Sequence, residues 1–210
     1  MLSLHQRILK RLRTADAGSV HTPKDFADLG FRAAVDQALS RMVGAGQLQR
    51  VGRGLYYVPR VNPRLGIAVP PDVDQVAAAL ARQTGSQVLP SGAAAANQLG
   101  LSTQVPAKAV YLTDGRSRHL RSGRLNIQLK HVAPGNFHVR HKSSALVFQA
   151  LRYLGRDAVG DRTLATLRSV LTPAQRRALR GDARYAPGWV ASAVRELDKE
   201  PAMSQTLAHG

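Results

Sequence analysis

Arg32-Ala33-Ala34-Val35-Asp36-Gln37-Ala38-Leu39-Ser40-Arg41-Met42-Val43-Gly44-Ala45-Gly46-Gln47-Leu48-Gln49-Arg50-Val51-Gly52-Arg53-Gly54-Leu55-Tyr56-Tyr57-Val58 is the stretch that decides the fold, because its period changes once within it. Val35, Ala38, Leu39, Met42 and Val43 recur at helical spacing and form one buried stripe. Arg32, Ala33, Asp36, Gln37, Ser40 and Arg41 fall on the opposite side, and Gly44 and Gly46 end the helix. From Gln47 to Val51 polar and apolar residues alternate, as in a half-buried strand. Gly52-Arg53-Gly54 is a tight turn, and Leu55 to Val58 is a β-prone strand stopped by Pro59. Tyr56 and Tyr57 alternate across that strand, so one of them is expected in the core; the pattern does not say which.

Upstream, Leu4, Ile8, Leu9 and Leu12 recur at helical spacing, with Arg7, Lys10, Arg11 and Arg13 around the other faces and Ser3 as a cap. Thr22 and Pro23 open a second, two-turn helix through Leu29, which Gly30 stops. Helix, short helix, amphipathic helix and hairpin, in that order, is the arrangement of a winged helix-turn-helix, expected over residues 1–62. An α-helix fits the major groove, where Arg reads guanine or holds phosphate and Gln reads adenine. The candidate DNA-binding residues are therefore Arg32, Gln37, Ser40 and Arg41 on the helix and Arg50 and Arg53 on the wing. Asp36 on the same side opposes phosphate unless it accepts from a cytosine amine or pairs with Arg32.

The charge points the same way. Thirty Lys+Arg against 13 Asp+Glu give a formal charge of +17, which favours a polyanionic partner. Residues 1–62 hold ten Lys/Arg and four Asp, a net of +6, and the remaining +11 lies beyond, so the basic character is not confined to one end. An anionic membrane is the rival polyanion, but no stretch reads as a bilayer span or a signal peptide. The absence of cysteine excludes disulfide frameworks and thiolate chemistry and fits a cytoplasmic location. Hydrophobic residues at 44% make the chain globular.

Beyond a linker read at Val61-Asn62-Pro63-Arg64, the pattern gives a helix over Asp72–Arg82, a short strand at Val88-Leu89 and a helix from Ser91 to Leu99. Ala109–Thr113 alternates as a strand, and Arg118–Arg121 with Arg124–His131 reads as a hairpin about Ser122-Gly123. Helices are expected at Ser144–Leu154, Thr163–Leu171, after Thr172-Pro173, and at Gly188–Leu197. The fold class is α+β: a winged helix at 1–62, a mixed α/β second domain at 63–200 and a flexible tail at 201–210. From Gly115 to Arg156 there is no acid, and a second basic surface is expected from Arg116, Arg118, Arg121, Arg124, Lys130, Arg140 and Lys142. Alternative readings make the protein a stand-alone nucleic-acid-binding regulator, or give this hairpin region, 115–142, an RNA- or protein-binding role of its own, with the winged helix only structural.

An enzyme fares badly on the same sequence. Only two glutamates exist, Glu196 and Glu200, and no catalytic residues, cofactor or metal site are expected. His119, His131, His138 and His141 lack metal-ligand spacing, and no phosphate-binding loop is present. Asp114 at a strand end with Gln128-Leu129-Lys130 on a later strand has the spacing of a nuclease core, but Gln in place of Glu removes a charge from the metal site.

Thr22-Pro23-Lys24-Asp25-Phe26, Arg32 to Arg41, and Val51-Gly52-Arg53-Gly54-Leu55-Tyr56-Tyr57 resemble the N-terminal part of AbiEi-type antitoxins. Pro90-Ser91-Gly92-Ala93-Ala94-Ala95-Ala96-Asn97, Leu99-Gly100-Leu101-Ser102 and Val110-Tyr111-Leu112-Thr113-Asp114-Gly115 resemble the C-terminal region of the same group. The resemblance covers residues 20–155 and departs in the tail. It implies an antitoxin of a type IV toxin–antitoxin, or abortive-infection, module. Such a protein represses its own promoter by binding double-stranded DNA and counters a nucleotidyltransferase toxin, directly or at the toxin's RNA target.

Overall fold

Ser3 opens the first helix, α1 (Leu4–Arg13), through a reciprocal cap in which its hydroxyl accepts from Gln6 N–H and the Gln6 side chain accepts from Ser3 N–H. The structure is a computed structural model that describes residues 2–15, 18–61, 64, 66, 68–104, 108–133 and 137–197. The expected tail at 201–210 lies outside these residues.

After α1 the chain forms β1 (Val20–His21), a 3-10 turn (Pro23–Phe26), α2 (Arg32–Gly44), β2 (Gln49–Gly52) and β3 (Leu55–Tyr57). The short helix expected from Pro23 to Leu29 is a run of i to i−3 bonds, from Asp25, Ala27 and Leu29 N–H to Thr22, Lys24 and Phe26 carbonyls. Too few residues separate Pro23 from Gly30 to build an α-helical ladder, so the tighter turn wins. β3 is central in an antiparallel three-stranded sheet, with β1 on one side and β2 on the other. Val35, Leu39 and Met42 of α2 close over Ile8, Leu12, Phe26, Leu48 and Tyr56 as one buried cluster.

That cluster uses only one face of the sheet. Val20, Val51, Leu55 and Tyr57 on the other face join a second cluster with α3 (Val73–Thr84) and with Tyr111, Leu125, Ile127 and Leu129. Both tyrosines are therefore buried, each in a different core. The last four residues come from a four-stranded sheet of order β6–β7–β9–β8, comprising β6 (Val88–Pro90), β7 (Ala109–Thr113), β8 (Arg118–Ser122) and β9 (Leu125–His131). β7 and β9 run parallel, and β8 and β9 form the expected antiparallel hairpin.

The boundary expected after residue 62 does not divide the molecule. Residues 1–89 and 107–133 form one compact unit, and 90–106 and 134–210 form the other. The cause is the outer face of β3, which needs α3 and the four-stranded sheet to cover it. Nor is the segment after Pro59 a plain linker, since β4 (Arg60–Val61) pairs antiparallel with β5 (Ala68–Val69).

The second unit is helical. α4 (Gly92–Gln98) packs against α5 (Lys142–Leu154), with α6 (Asp161–Val170), α7 (Pro173–Asp182) and α8 (Gly188–Leu197) around a core of Val147, Leu151, Leu167, Leu179, Val190 and Val194. Asp182, buried at the end of α7, accepts from His141 N–H at 3.1 Å and pairs with the His141 ring at 2.8 Å, pinning the start of α5. Burial opposes ionisation of this carboxyl, but the His141 and Ser144 contacts together outweigh it and hold its pKa below the ordinary carboxylate value. The protein is thus mixed α+β, and no helix among the described residues is long and apolar enough to cross a membrane.

Candidate nucleic-acid interface

The stripe that buries Val35, Leu39 and Met42 leaves Arg32, Ala33, Ala34, Gln37, Ser40 and Arg41 exposed on α2. Within this exposed side, Arg32, Asp36 and Ser40 lie at i, i+4 and i+8 and line one wall of a polar depression of about 600 Å³. Arg50 and Tyr56 from β2 and β3 form another wall, Arg53 and Gly54 stand at the hairpin turn, and Gln83, Thr84 and Arg118 complete the lining. Four arginines against one aspartate give the depression a net charge of +3, and that aspartate is engaged: Arg32 Nε donates to Asp36 at 2.9 Å. This is the pairing that makes an acid tolerable on a cationic face.

Two contacts fix the β2–β3 hairpin. The Arg50 guanidinium lies 5.6 Å from the centroid of the Tyr56 ring and donates to its hydroxyl at 3.4 Å. Gln83, near the end of α3, donates to the Arg53 carbonyl at 2.9 Å and holds the turn from behind. Gly54 has φ +69°, a left-handed backbone that favours glycine, and a Cβ there would fall 2.6 Å from Gln83 Nε2, so the end of that side chain would have to move. Next along α3, Arg82 donates to the Val20 carbonyl at 2.7 Å and pairs with Asp25 at 3.3 Å, while Asp25 accepts from Thr22 N–H at 2.8 Å. One end of α3 thus anchors the β2–β3 turn, β1 and the turn before α2 together.

Arg118 belongs to this constellation because β8 approaches β2. A Cβ on Gly52 would lie 2.7 Å from Leu120 Cδ1. Arg118 pairs in register with Leu129 and shares its face, whereas Arg121, paired with Asn126, lies on the other face of the sheet. Lys130, in register with Leu112, is exposed there as well, and Arg116 and Arg124 are exposed on turns at either end of β8. Arg140 and Lys142 fall in the helical unit. Within the first unit the second basic surface expected across 116–142 is divided: Arg118 lies beside the β2–β3 hairpin, and Arg121 and Lys130 lie on the other face of the sheet.

The remaining chemistry-bearing side chains disperse. His119 bonds Asn126 at 2.6 Å, His131 bonds the Gly115 carbonyl at 2.8 Å, and His141 bonds Asp182. The parallel register sets Gln128 opposite Val110, four residues before Asp114, and Asp114 accepts from Gln87 N–H at 2.7 Å. The nuclease spacing seen in the sequence therefore does not converge on one site.

Away from the depression, both Arg11 guanidinium nitrogens meet the Asp28 carboxylate, at 2.6 and 2.7 Å. The Arg11 hydrogen bond holds the Asp28 pKa down to about 2, and the pair ties α1 to the turn before α2. His21, partly enclosed and 5.8 Å from the Phe26 ring, is pushed below its ordinary pKa by burial.

A family model matches residues 7–179, which is most of the chain. The protein belongs to DUF6088, a family of unknown function. No curated protein matches it. The DUF6088 match runs from α1 to α7, through both compact units, so the family is defined by far more than the first 62 residues.

Sequence reasoning found Arg32, Ser40, Arg50 and Arg53 of the depression and placed Arg118 on a separate surface. It missed Gln83 and Thr84, which only tertiary packing brings to the β2–β3 hairpin. A signal for that packing was present: Leu55-Tyr56-Tyr57 is a continuous apolar run, the pattern of a strand covered on both faces.

Proposed function

We propose that this DUF6088 protein is a non-enzymatic, sequence-specific binder of duplex DNA whose N-terminal unit is a winged helix-turn-helix built onto a β-sheet platform. α2 enters the major groove with Arg32, Gln37, Ser40 and Arg41 towards base edges and flanking phosphates. The backbone strand beside it runs through the depression, where Arg50, Arg53 and Arg118 meet phosphates. The observation that carries this reading is the depression itself: four arginines from α2, the hairpin and β8 around one concavity, with the sole carboxylate neutralised by Arg32. A pre-set cationic saddle of that size suits a phosphodiester backbone better than an isolated charge run would.

The narrower role is that of a cytoplasmic antitoxin and autorepressor acting against a nucleotidyltransferase toxin. It rests on the sequence resemblance over residues 20–155 and is tested separately, by whether the neighbouring reading frame encodes such a toxin and whether this protein relieves its toxicity. The DNA-binding reading is tested by competition. A labelled duplex bound by the protein is challenged with unlabelled duplex DNA or with structured RNA of equal length, for the wild type and for Arg50→Ala/Arg53→Ala. Duplex DNA competing better, and the double variant binding more weakly, is the expected result. RNA competing better, with the double variant unaffected, would transfer the function to the β8–β9 hairpin.

A further inference from the structure

Phe31 is 90% exposed, the most exposed large apolar side chain among the described residues. Its position makes no local sense. It is the N-cap of α2, where Ser, Thr, Asp or Asn would supply a hydrogen bond, and it makes no side-chain cap bond. It belongs to no buried cluster. A single exposed ring is ordinary on a protein surface, but one that occupies an N-cap without supplying a cap bond and lies among cations points to a partner.

The surroundings identify the chemistry of that partner. Phe31 lines a depression with Arg7, Lys24 and Arg32 against one carboxylate, Asp28, which Arg11 pairs, so the net positive charge around the ring favours an anionic partner. Ala33 and Ala34 follow it on α2, both exposed, and Gln37 lies one turn on. A polyanion that also offers apolar surface to a helix N-terminus is duplex DNA read through thymine. The thymine 5-methyl is the apolar group on the major-groove edge, and the partner adenine suits Gln37.

We propose that Phe31 is a specificity-determining residue that packs on thymine 5-methyl groups, with Gln37 reading adenine, so that the half-site contacted by the start of α2 is A·T. The inference rests on the DNA-binding reading above. N-terminal residues of a recognition helix are those that meet base edges, which suits Phe31 for this role and leaves phosphate contact to the wing arginines.

The test selects tight-binding sequences from a random-sequence duplex pool with the full chain, then replaces each thymine of the selected duplex with deoxyuridine, which removes only the methyl. Loss of one contacted methyl should weaken wild-type binding by about fourfold at one or two positions. Phe31→Ala should bind the thymine duplex more weakly and show no difference between thymine and deoxyuridine at those positions. Because the side chain is exposed, an unchanged thermal melt is expected for this variant. Selected sequences without a methyl-sensitive thymine, or a thymine preference that survives in Phe31→Ala, overturn the inference while leaving DNA binding intact. A pool from which nothing is enriched, with no salt-dependent duplex binding, removes the DNA reading and this inference together.

Discussion

Arg118→Ala is the substitution that bears most directly on joining β8 to the wing. Four arginines line the depression, and Arg32 is partly neutralised by Asp36 at 2.9 Å. If Arg50, Arg53 and Arg118 each neutralise one phosphate, they contribute about −2.7 to the slope of log affinity against log salt, at roughly −0.9 per contact. A fourfold rise in salt then costs the wild type about 40-fold through these contacts, and the variant about 12-fold. Arg118 is exposed at the end of a hairpin whose core is made by Leu125, Ile127 and Leu129, so the fold should tolerate its removal. Fluorescence anisotropy with a labelled duplex, repeated across a salt series, reads the slope. The variant should lose about 0.9 from it and weaken all duplex sequences alike. An unchanged slope would mean that Arg118 only solvates the hairpin, and the joined footprint would be refuted.

Three further outcomes follow from the packing. A fragment ending at residue 62 uncovers Val20, Val51, Leu55 and Tyr57, at about 1.5–3 kcal/mol each, which together match the whole stability of a typical domain. It should show no cooperative transition by circular dichroism, and a sharp melt would restore the shorter domain. Gly54→Ala forces a side chain into a left-handed backbone and against Gln83, and should cost about 1–3 kcal/mol in urea denaturation and weaken duplex binding; a cost below about 0.5 kcal/mol would show that the wing turn adapts freely. Because burial lowers the His21 pKa below 6.5, the unfolded chain takes up a proton before the folded one does as pH falls. Stability should therefore decline as pH drops through 6.5 towards the lower folded value. His21→Gln should flatten that part of the urea-denaturation profile, and an unaltered profile would assign the decline elsewhere.

The parts legible in the sequence are those set by local pattern. The stripe from Val35 to Met42 fixed α2 and its exposed side, Gly52-Arg53-Gly54 fixed the hairpin, and Ser122-Gly123 fixed the second hairpin. What escaped was set by tertiary contact. Whether Tyr56 or Tyr57 is buried has no single answer in a strand covered on both sides, and that double covering is what extends the N-terminal unit to residue 133. Gln83 carries no pattern of its own that points to the β2–β3 turn. Acid-free composition over 115–156 has no direction: alternation along β8 sends Arg118 and Arg121 to opposite faces. The parallel pairing of β7 with β9, which separates Asp114 from Gln128, is likewise invisible until the strands are paired.

The central claim is that α2, the wing and Arg118 form one surface for a double helix. Backbone amide NMR of the full chain, titrated with the duplex recovered from a random pool, tests it most directly. The largest shifts should fall at Phe31, Arg32, Gln37, Ser40, Arg41, Arg50, Arg53 and Arg118. Shifts confined to Arg140, Lys142 and the helices that follow, with α2 and the wing silent, would contradict it.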